Sequence, residues 1–285
     1  MGANNQTLCF FKNRPDLHPG DRLAQRIDSD GFFGIPCLEK IAIQIGDRTI
    51  RGICSHAVDN ATDLRSSDFP SKMGEFSILD VQKMALLDVL LGNTDRHLAN
   101  ALIQGDRLIP IDHDAAAMGR IFLNAHWLTT SEPFVNKEFQ EHGRYLRSFW
   151  IKSHALERGD HFQQINAPVD LQIVNWINHF DIEMRAADLL NQLDQSEADY
   201  IRLHVLLLKE VIGVRGHTFA EFVRFQQEGL FEEALRAARD VCIAAFPPSE
   251  ISRRASPSSK EAFRRKFFIE FPNQLRASLN RAELS

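Results

Sequence analysis

The sequence has few cysteines and no spacing pattern that would join them. Cys9, Cys37, Cys54 and Cys242 are scattered and show no CxxC pair. Disulfide frameworks and the common zinc motifs depend on close, repeated cysteine spacings. We therefore expect reduced and mostly buried thiols in a cytoplasmic protein, without a disulfide framework or a zinc site.

Long apolar runs and an excess of positive charge are missing as well. No segment offers the roughly 18 uninterrupted apolar residues that a membrane-spanning helix requires. The first residues fit neither a signal peptide nor a myristoylation signal. The formal net charge is -5, whereas affinity for a nucleic-acid backbone needs a basic surface. We therefore expect no membrane span and no general nucleic-acid binding. The sequence does not predict an oligomeric state.

The chain does have enough apolar material for one large core or for two lobes around a cleft. Of its 285 residues, 44% are hydrophobic and 25% are charged, as in ordinary globular proteins. The pattern changes along the chain and predicts a small β-rich part over residues 1–58 and a helical part over residues 59–246. Residues 247–285 are predicted to be a linker followed by a C-terminal helix.

The β-rich part is predicted from alternation and turn signals. Isoleucines alternate with polar or small residues from Ile41 to Ile45, which is the period of a half-buried strand. Gly46–Asp47 is a two-residue turn signal before the return strand Thr49–Ser55. The other predicted elements of this part are a first strand, a short helix and a polar connector: Thr7–Phe11, Asp21–Ile27 and His56–Met73.

The helical part begins with a long apolar segment. Ser77 and Asp80 resemble a capping pair at the start of a helix, and Gly92 is typical of a helix C-terminus. The helix between them is apolar almost all round, so we expect it to be buried. Further helices are predicted at Asp170–Leu193, Glu197–Val211, Thr218–Gln227 and Leu230–Phe246, and a final amphipathic helix from Lys260 after the linker SRRASPSS.

A tight hairpin follows the apolar helix. Gly105–Asp106 is its two-residue turn signal, and the flanking apolar strands are Ala101–Gln104 and Arg107–Ile111. Counting outward from the turn places Asn100 roughly opposite Ile111, with Asp112 next to it at the open end. Asp95 lies on the short loop before the first strand. The helix and the hairpin therefore bring two carboxylates and a carboxamide to one place.

This group of side chains suits a magnesium ion. Mg²⁺ takes a small number of hard oxygen ligands and completes its shell with water and substrate phosphates. An Asp, an Asn five residues later and a metal-binding Asp after a strand pair also follow the order of the protein-kinase catalytic core. In that order Asp95 takes the proton of the acceptor hydroxyl, and Asn100 and Asp112 hold the metal. Arg96 and His97 would stabilise the loop or contact phosphate.

The segment NTDRHLAN…LIPIDHDAAA resembles the catalytic segment of the HipA-like kinases and, more distantly, that of the phosphoinositide lipid kinases. The resemblance is strong over residues 86–117, moderate over residues 8–55 and weak beyond about Trp150. It implies an α+β, protein-kinase-like fold with a partial N-lobe at residues 1–58 and a catalytic C-lobe at residues 59–246. It also implies that Lys12 grips the α- and β-phosphates of ATP and that Asp21 pairs with Lys12.

The chain departs from the pattern of these kinases in three places. Asp21 stands where the family usually has Glu, and Asp112–Asp114 is followed by alanines where kinases often have a glycine. Only eleven residues precede Lys12, which is too few for the usual glycine-rich hairpin. We expect a minimal phosphate lid, a truncated chain or a protein that has lost activity.

The first functional hypothesis is an ATP- and Mg²⁺-dependent kinase that phosphorylates serine or threonine of a protein substrate, as the HipA-like kinases do. A lipid or small-molecule kinase is the alternative among enzymes. A pseudokinase that binds nucleotide or protein without catalysis is the alternative outside them.

Simpler interpretations exist for the same residues. Asp and Asn at strand ends are most often turn formers, and a lysine such as Lys12 is most often a solvated edge residue. His113–Asp114, with His97, is also the pattern of a metal-dependent phosphohydrolase, although such sites take their ligands from helices. Asp114 would otherwise cap the following segment, and Arg253–Ser256 would be a phosphorylation site or a solvated linker.

Overall fold

A computed structural model of the chain describes residues 9–14, 16–63, 74–93, 100–113, 162–181, 195–251 and 255–284. Within these ranges, strands dominate the first part and helices the remainder. The mixture of sheet and helix agrees with the predicted α+β class.

A three-stranded antiparallel sheet forms the N-terminal part, with the order β1-β3-β2. Its strands are β1 (Cys9–Lys12), β2 (Leu38–Ile45) and β3 (Arg48–His56). Ile45 pairs with Arg48 across a two-residue turn, in which Gly46 has a φ of 59°. A positive φ is what such tight hairpin turns require, and glycine adopts it without strain. The predicted hairpin is confirmed.

Helix α1 (Pro19–Ile27) lies between β1 and β2 in the chain. It begins two residues before the predicted start at Asp21, because His18 accepts a hydrogen bond from the Gly20 N–H and proline is tolerated in a first helical turn. Its apolar residues are fully buried, Leu23 and Ile27 among them. This face packs against the helix Ile78–Leu91.

Helix α2 (Ile78–Leu91) is the predicted apolar helix, and ten of its fourteen residues are buried. The Ser77 hydroxyl accepts a hydrogen bond from the Asp80 N–H, and Gly92 adopts the left-handed conformation that ends the helix. The buried amide of Gln82 bonds the carbonyl of Gln164 and accepts from the Asp170 N–H, which ties α2 to the helical part. The prediction of a buried helix is confirmed.

A second antiparallel sheet has the order β4-β5-β6. Its strands are β4 (Thr62–Asp63), β5 (Ala101–Gln104) and β6 (Arg107–Pro110). Gln104 pairs with Arg107 across the turn, as predicted, and β6 packs on α2. The hairpin is therefore held against the central helix.

The helical part is built on a short 3₁₀ turn and six α-helices among the described residues. They are the 3₁₀ turn Gln163–Asn166, α3 (Leu171–His179), α4 (Gln195–Leu208) with the π-helical turn Lys209–Val214, α5 (Phe219–Gln227), α6 (Leu230–Ala245), α7 (Pro248–Ile251) and α8 (Pro257–Glu283). The predicted starts and ends agree within a few residues for α5 and α6. The second half of the predicted helix Asp170–Leu193 lies outside the described residues.

The C-terminal helix begins earlier than predicted. Ser256 caps α8 by accepting a hydrogen bond from the Ser259 N–H, and Pro257 occupies its first turn. The segment assigned to a linker therefore supplies both the cap and the first turn. Phenylalanines and leucines four residues apart make one face of α8 apolar: Phe263, Phe267, Phe271, Leu275 and Leu279 are all buried in the common core.

The described cysteines agree with the expectation of mostly buried thiols. Cys54 and Cys242 are buried, whereas Cys37 is exposed. Burial raises the pKa of the Cys242 thiol to about 11. In the part of the chain that the structure describes, no helix is both long and apolar enough to cross a membrane.

Replacing Gly92 with alanine is predicted to destabilise the protein more than replacing Gly105. Both glycines have positive φ values, 55° and 64°, so alanine costs about 1–2 kcal/mol of backbone strain at either position. A Cβ on Gly92 would also lie 2.8 Å from the Tyr200 ring, whereas a Cβ on Gly105 meets nothing within 4 Å. Urea unfolding of the two variants measures the difference. Equal losses would show that the Tyr200 contact is not restrictive.

Acid is predicted to weaken the fold through His204. Its Nδ1–H donates to the Tyr200 carbonyl at 2.9 Å, and burial lowers its pKa from 6.5 to about 4. The folded state then binds fewer protons than the unfolded state between these values, so stability falls as pH decreases through this window. The loss amounts to about 2 kcal/mol between pH 7 and pH 5.

The His204→Gln variant should lose this pH dependence, which urea unfolding at pH 7 and pH 5 would detect. His179→Gln is the matched control, because His179 is exposed on α3. An unchanged pH slope in His204→Gln would contradict the assignment.

Candidate functional site

A cavity of about 540 Å³ lies between the N-terminal sheet and the open end of the β5–β6 hairpin. Small-molecule sites usually have volumes of this order. Its lining comes from the N-terminal sheet, helix α1, the segments before β2 and after β3, and the hairpin with the residues after it: Phe10, Lys12, Asp21, Ile35, Pro36, Leu38, Ser55, His56, Ala57, Val58, Asp59, Asn60, Ala61, Leu102, Ile111, Asp112 and His113. The lining thus combines apolar side chains with Lys12 and the carboxylates of Asp21 and Asp112.

Lys12 and Asp112 form an ion pair in this cavity. The Lys12 Nζ donates to Asp112 Oδ1 at 2.8 Å, although the two residues are 100 positions apart in the chain. The two side chains are 35% and 38% exposed, so both remain accessible to a ligand from the cavity. The fold therefore brings together the strand lysine and the hairpin carboxylate that the sequence predicts for one site.

Asp112 has an unusual backbone conformation. Its φ is 54°, one of two positive values at non-glycine residues in the described ranges. Such conformations cost energy and concentrate at functional sites, and Asp tolerates them better than most residues. The backbone at the end of β6 thus turns sharply at the residue that carries the carboxylate.

Asp21 is buried at the base of the cavity, with 1% of its surface exposed. Its carboxylate receives the Arg14 guanidinium and, at 3.0 Å, the backbone N–H of His113. The predicted helix acid therefore anchors the residue that follows Asp112. The resemblance to kinases assigned Lys12 as its partner, whereas these two contacts come from Arg14 and His113.

Asn100 immediately precedes β5 and is 5% exposed. Its carbonyl accepts a hydrogen bond from the Ile111 N–H at 3.1 Å. This bond extends the hairpin ladder by one step, and it confirms the predicted position of Asn100 opposite Ile111. Asn100 and Asp112 are therefore both at the open end of the hairpin, as a shared metal site requires.

Asp95, Arg96 and His97 lie outside the described residues, and so does Asp114. The structure does describe residues that precede Asp95. The Asn93 N–H donates to the Asp88 carbonyl at 3.1 Å, and its side-chain amide donates to the Asp88 carboxylate at 3.2 Å. Both residues are fully buried. The chain therefore leaves helix α2 towards Asp95 from a fixed position.

Asp28 shapes another wall of the cavity. Its carboxylate accepts hydrogen bonds from the N–H groups of Phe33, at 2.6 Å, and Ile35, at 2.8 Å. Burial raises the pKa of Asp28, although these two bonds favour its charged form. The Asp28 carboxylate thereby stabilises the turn that places Ile35 in the cavity wall.

Sequence reasoning missed several of these residues. Arg14, Asp28, Asp88 and Asn93 belong to no motif, and their roles depend on contacts that only the folded chain creates. The single local signal was Gly92, because a left-handed glycine at a helix C-terminus lets the N–H of the next residue bond a carbonyl of the last turn. The apolar wall formed by Leu38 and its neighbours also has no signature in the sequence.

A larger cavity, of about 710 Å³, lies among α3, α4 and α8. Its charged residues pair mainly with one another: the Asp199 carboxylate lies 3.0 Å from Arg264 and 3.6 Å from Arg202. Burial raises the pKa of Asp199. This cavity contains none of the predicted site residues, so the smaller cavity is the better candidate for the functional site.

Part of the chain is similar to a known kinase family. Residues 51–146 match the family described as Phosphatidylinositol 3- and 4-kinase. A relative, phosphatidylinositol 4-kinase gamma 4 of Oryza sativa subsp. japonica, is 38% identical over 121 residues, which are 38% of this chain and 20% of that protein. The chain thus spans about a fifth of the length of this curated relative. The match favours the distant resemblance to lipid kinases over the HipA-like one.

The matched region includes the hairpin and the predicted catalytic segment. Asp95, Asn100 and Asp112 fall within residues 51–146, whereas Lys12 and Asp21 precede them. The region is therefore similar to a kinase domain, the class of enzyme that transfers phosphate from ATP to a hydroxyl group. The ion pair between Lys12 and Asp112 connects the matched segment with the N-terminal sheet.

Removing the charge of Asp21 is predicted to destabilise the protein by about 2 kcal/mol. Asp21→Asn keeps a carbonyl oxygen for the His113 N–H but loses the ion pair with Arg14, and hydrogen bonds to charged groups contribute about 1.5–3 kcal/mol. Asp16→Asn is the control, because the Asp16–Lys40 pair is more than half exposed and such pairs contribute little. Chemical denaturation compares the variants. Equal effects would contradict the anchoring role of Asp21.

Proposed function

We propose that this chain carries a phosphotransferase site of the phosphatidylinositol-kinase type, which uses ATP and Mg²⁺ to phosphorylate a hydroxyl group of an inositol lipid. The observation that carries the proposal is the Lys12–Asp112 ion pair inside a cavity, with Asp112 in the segment that matches this kinase family.

The residues present fit a nucleotide and a magnesium ion. The cavity has apolar walls, including Leu38, Val58 and Leu102, that suit a purine ring. Lys12 supplies positive charge for phosphates, and Asp112 with Asn100 supplies the hard oxygen ligands that Mg²⁺ prefers. Mg²⁺, when bound, would neutralise negative charge on the phosphates.

Lys12 and Asp112 would exchange partners when the nucleotide binds. In the structure each neutralises the other at 2.8 Å. ATP offers Lys12 a phosphate oxygen, which is a stronger acceptor because it is more highly charged, and Asp112 then becomes available as a metal ligand. The ion pair thus holds both side chains near their working positions, which reduces the ordering cost of binding.

The remaining roles follow from the kinase order. Asp95 would orient the acceptor hydroxyl and accept its proton, while Arg96 and His97 would stabilise the loop or contact phosphate. Asp21 acts one step away, because its bond to the His113 N–H fixes the backbone beside Asp112. We assign it a positioning role and no direct contact with substrate.

An inositol lipid is proposed as the acceptor because the family match and the rice relative both concern phosphatidylinositol kinases. A protein serine or threonine, the acceptor expected from the HipA-like resemblance, remains the alternative. The two are distinguished by presenting both acceptors to the same preparation.

Neutralising Asp112 is predicted to lower phosphate transfer at least about 100-fold, the size of effect seen when one charge-stabilising group is removed from an active site. Asp112→Asn is suitable because Asn also tolerates the positive φ of this position. The assay follows radiolabel from the γ-phosphate of ATP into phosphatidylinositol vesicles with Mg²⁺. Asp106→Asn, on the exposed turn of the same hairpin, should retain activity.

Four other outcomes have distinct meanings. Transfer to protein but not to lipid would replace the lipid acceptor by a protein one. ATP-dependent thermal stabilisation without transfer would indicate a pseudokinase. Full activity of Asp112→Asn, or failure of the wild-type protein both to bind ATP and to transfer phosphate, would contradict the proposed site.

A further inference from the structure

Three exposed side chains with metal-binding atoms meet beside the N-terminal sheet. The ligand atoms of Cys37, Glu39 and His56 all lie within 4.8 Å of one another. Glu39 Oε1 is 3.4 Å from the imidazole Nε2 of His56. None of these three residues belongs to the Lys12–Asp112 pair.

The backbone holds the cluster together. The His56 N–H donates to the Cys37 carbonyl at 3.0 Å, which extends the β2–β3 ladder beyond the pair formed by Leu38 and Ser55. Cys37 and Glu39 are two positions apart along an extended segment, so they lie on the same face. Cys37 is also directly opposite His56, and residues opposite each other on antiparallel strands share a face. The three side chains are thus neighbours because of strand register, whatever their rotamers.

The combination of donors suits a particular kind of cation. We propose that Cys37, Glu39 and His56 bind Zn²⁺ through a thiolate, a carboxylate oxygen and an imidazole nitrogen. Thiolate and carboxylate supply two negative charges and the imidazole is neutral, so the set balances a divalent cation. Zn²⁺ accepts sulfur, nitrogen and oxygen ligands in tetrahedral geometry, whereas Mg²⁺ and Ca²⁺ prefer oxygen alone. With three protein ligands, the fourth position is open to water.

The separation of the donors is compatible with this coordination. Zn–S and Zn–N bonds of about 2.3 and 2.0 Å place tetrahedral ligand atoms roughly 3.5 Å apart. Since the present separations do not exceed 4.8 Å, the donors need to approach by at most about 1 Å, which exposed side chains achieve by rotation. The sequence predicted no zinc site, because its cysteines are scattered. Cys37 and His56 are far apart in the chain and become neighbours only through the pairing of β2 with β3.

The proposed zinc site lies at the edge of the cavity that contains Lys12 and Asp112. His56 lines the cavity, as do Pro36 and Leu38 on either side of Cys37. The segment 57–61, which forms another part of the cavity wall, continues directly from His56. Zn²⁺ at the cluster would join β2 to the start of that segment and thereby fix this edge of the cavity.

Cobalt binding to the full-length protein tests the site directly. Co²⁺ replaces Zn²⁺ in tetrahedral sites and produces a near-ultraviolet charge-transfer band only when a thiolate coordinates it. The reduced, metal-free protein should bind one equivalent of Co²⁺ with this band, and added Zn²⁺ should displace it. Cys37→Ser should abolish the band. His56→Gln and Glu39→Gln should weaken binding at least about tenfold, since even outer-shell partners of metal ligands contribute 10- to 100-fold.

Two controls separate this site from others. Cys242→Ala removes a thiol buried in the helical part and should leave the band unchanged, and Asp112→Asn should do the same because it alters only the proposed magnesium site. Circular dichroism confirms folding of each variant. A wild-type protein without the band, or a Cys37→Ser variant that keeps it, would overturn the proposal independently of any kinase assay.

Discussion

The buried carboxylate of Asp21 is the constraint on which the candidate site depends. A charge removed from water must be compensated, or the fold loses several kcal/mol. Arg14 and the His113 N–H provide that compensation from opposite directions, one from the segment after β1 and the other from the segment after β6. Satisfying one acid therefore brings together two distant parts of the chain, and Lys12 meets Asp112 beside it. The buried Asp21–Arg14 pair therefore positions the accessible Lys12–Asp112 pair.

The parts of this arrangement that the sequence predicts are those with local causes. Gly46, Gly92 and Gly105 each mark a turn or helix end at which the backbone has a positive φ, and the strands and the central helix follow from their apolar periods. Counting outward from the turn of the hairpin also predicts that Asn100 lies opposite Ile111. The partners of Asp21 could not be predicted, because they arise from tertiary packing. The start of α8 was misplaced because Ser256 and Pro257, a cap and a first helical residue, also read as linker residues.

The structure and the family match support the kinase hypothesis from different directions. The match covers the hairpin and Asp95 before it, and it does not extend to Lys12 or Asp21. The structure, in turn, describes Lys12, Asp21, Asn100 and Asp112 but not Asp95. The two overlap at Asp112, which is both in the matched segment and in contact with the N-terminal lysine. The proposed zinc cluster lies at another edge of the same cavity, so metal at one position would bear on ligand binding at the other.

A crystal structure with Mg²⁺ and a non-hydrolysable ATP analogue would test the central claim most directly. The account predicts a nucleotide in the 540 Å³ cavity, with the Lys12 ammonium on a phosphate oxygen, the metal on the Asp112 carboxylate, and the ion pair between these two side chains opened. A nucleotide bound elsewhere, or a Lys12–Asp112 pair that stays closed beside it, would contradict the account.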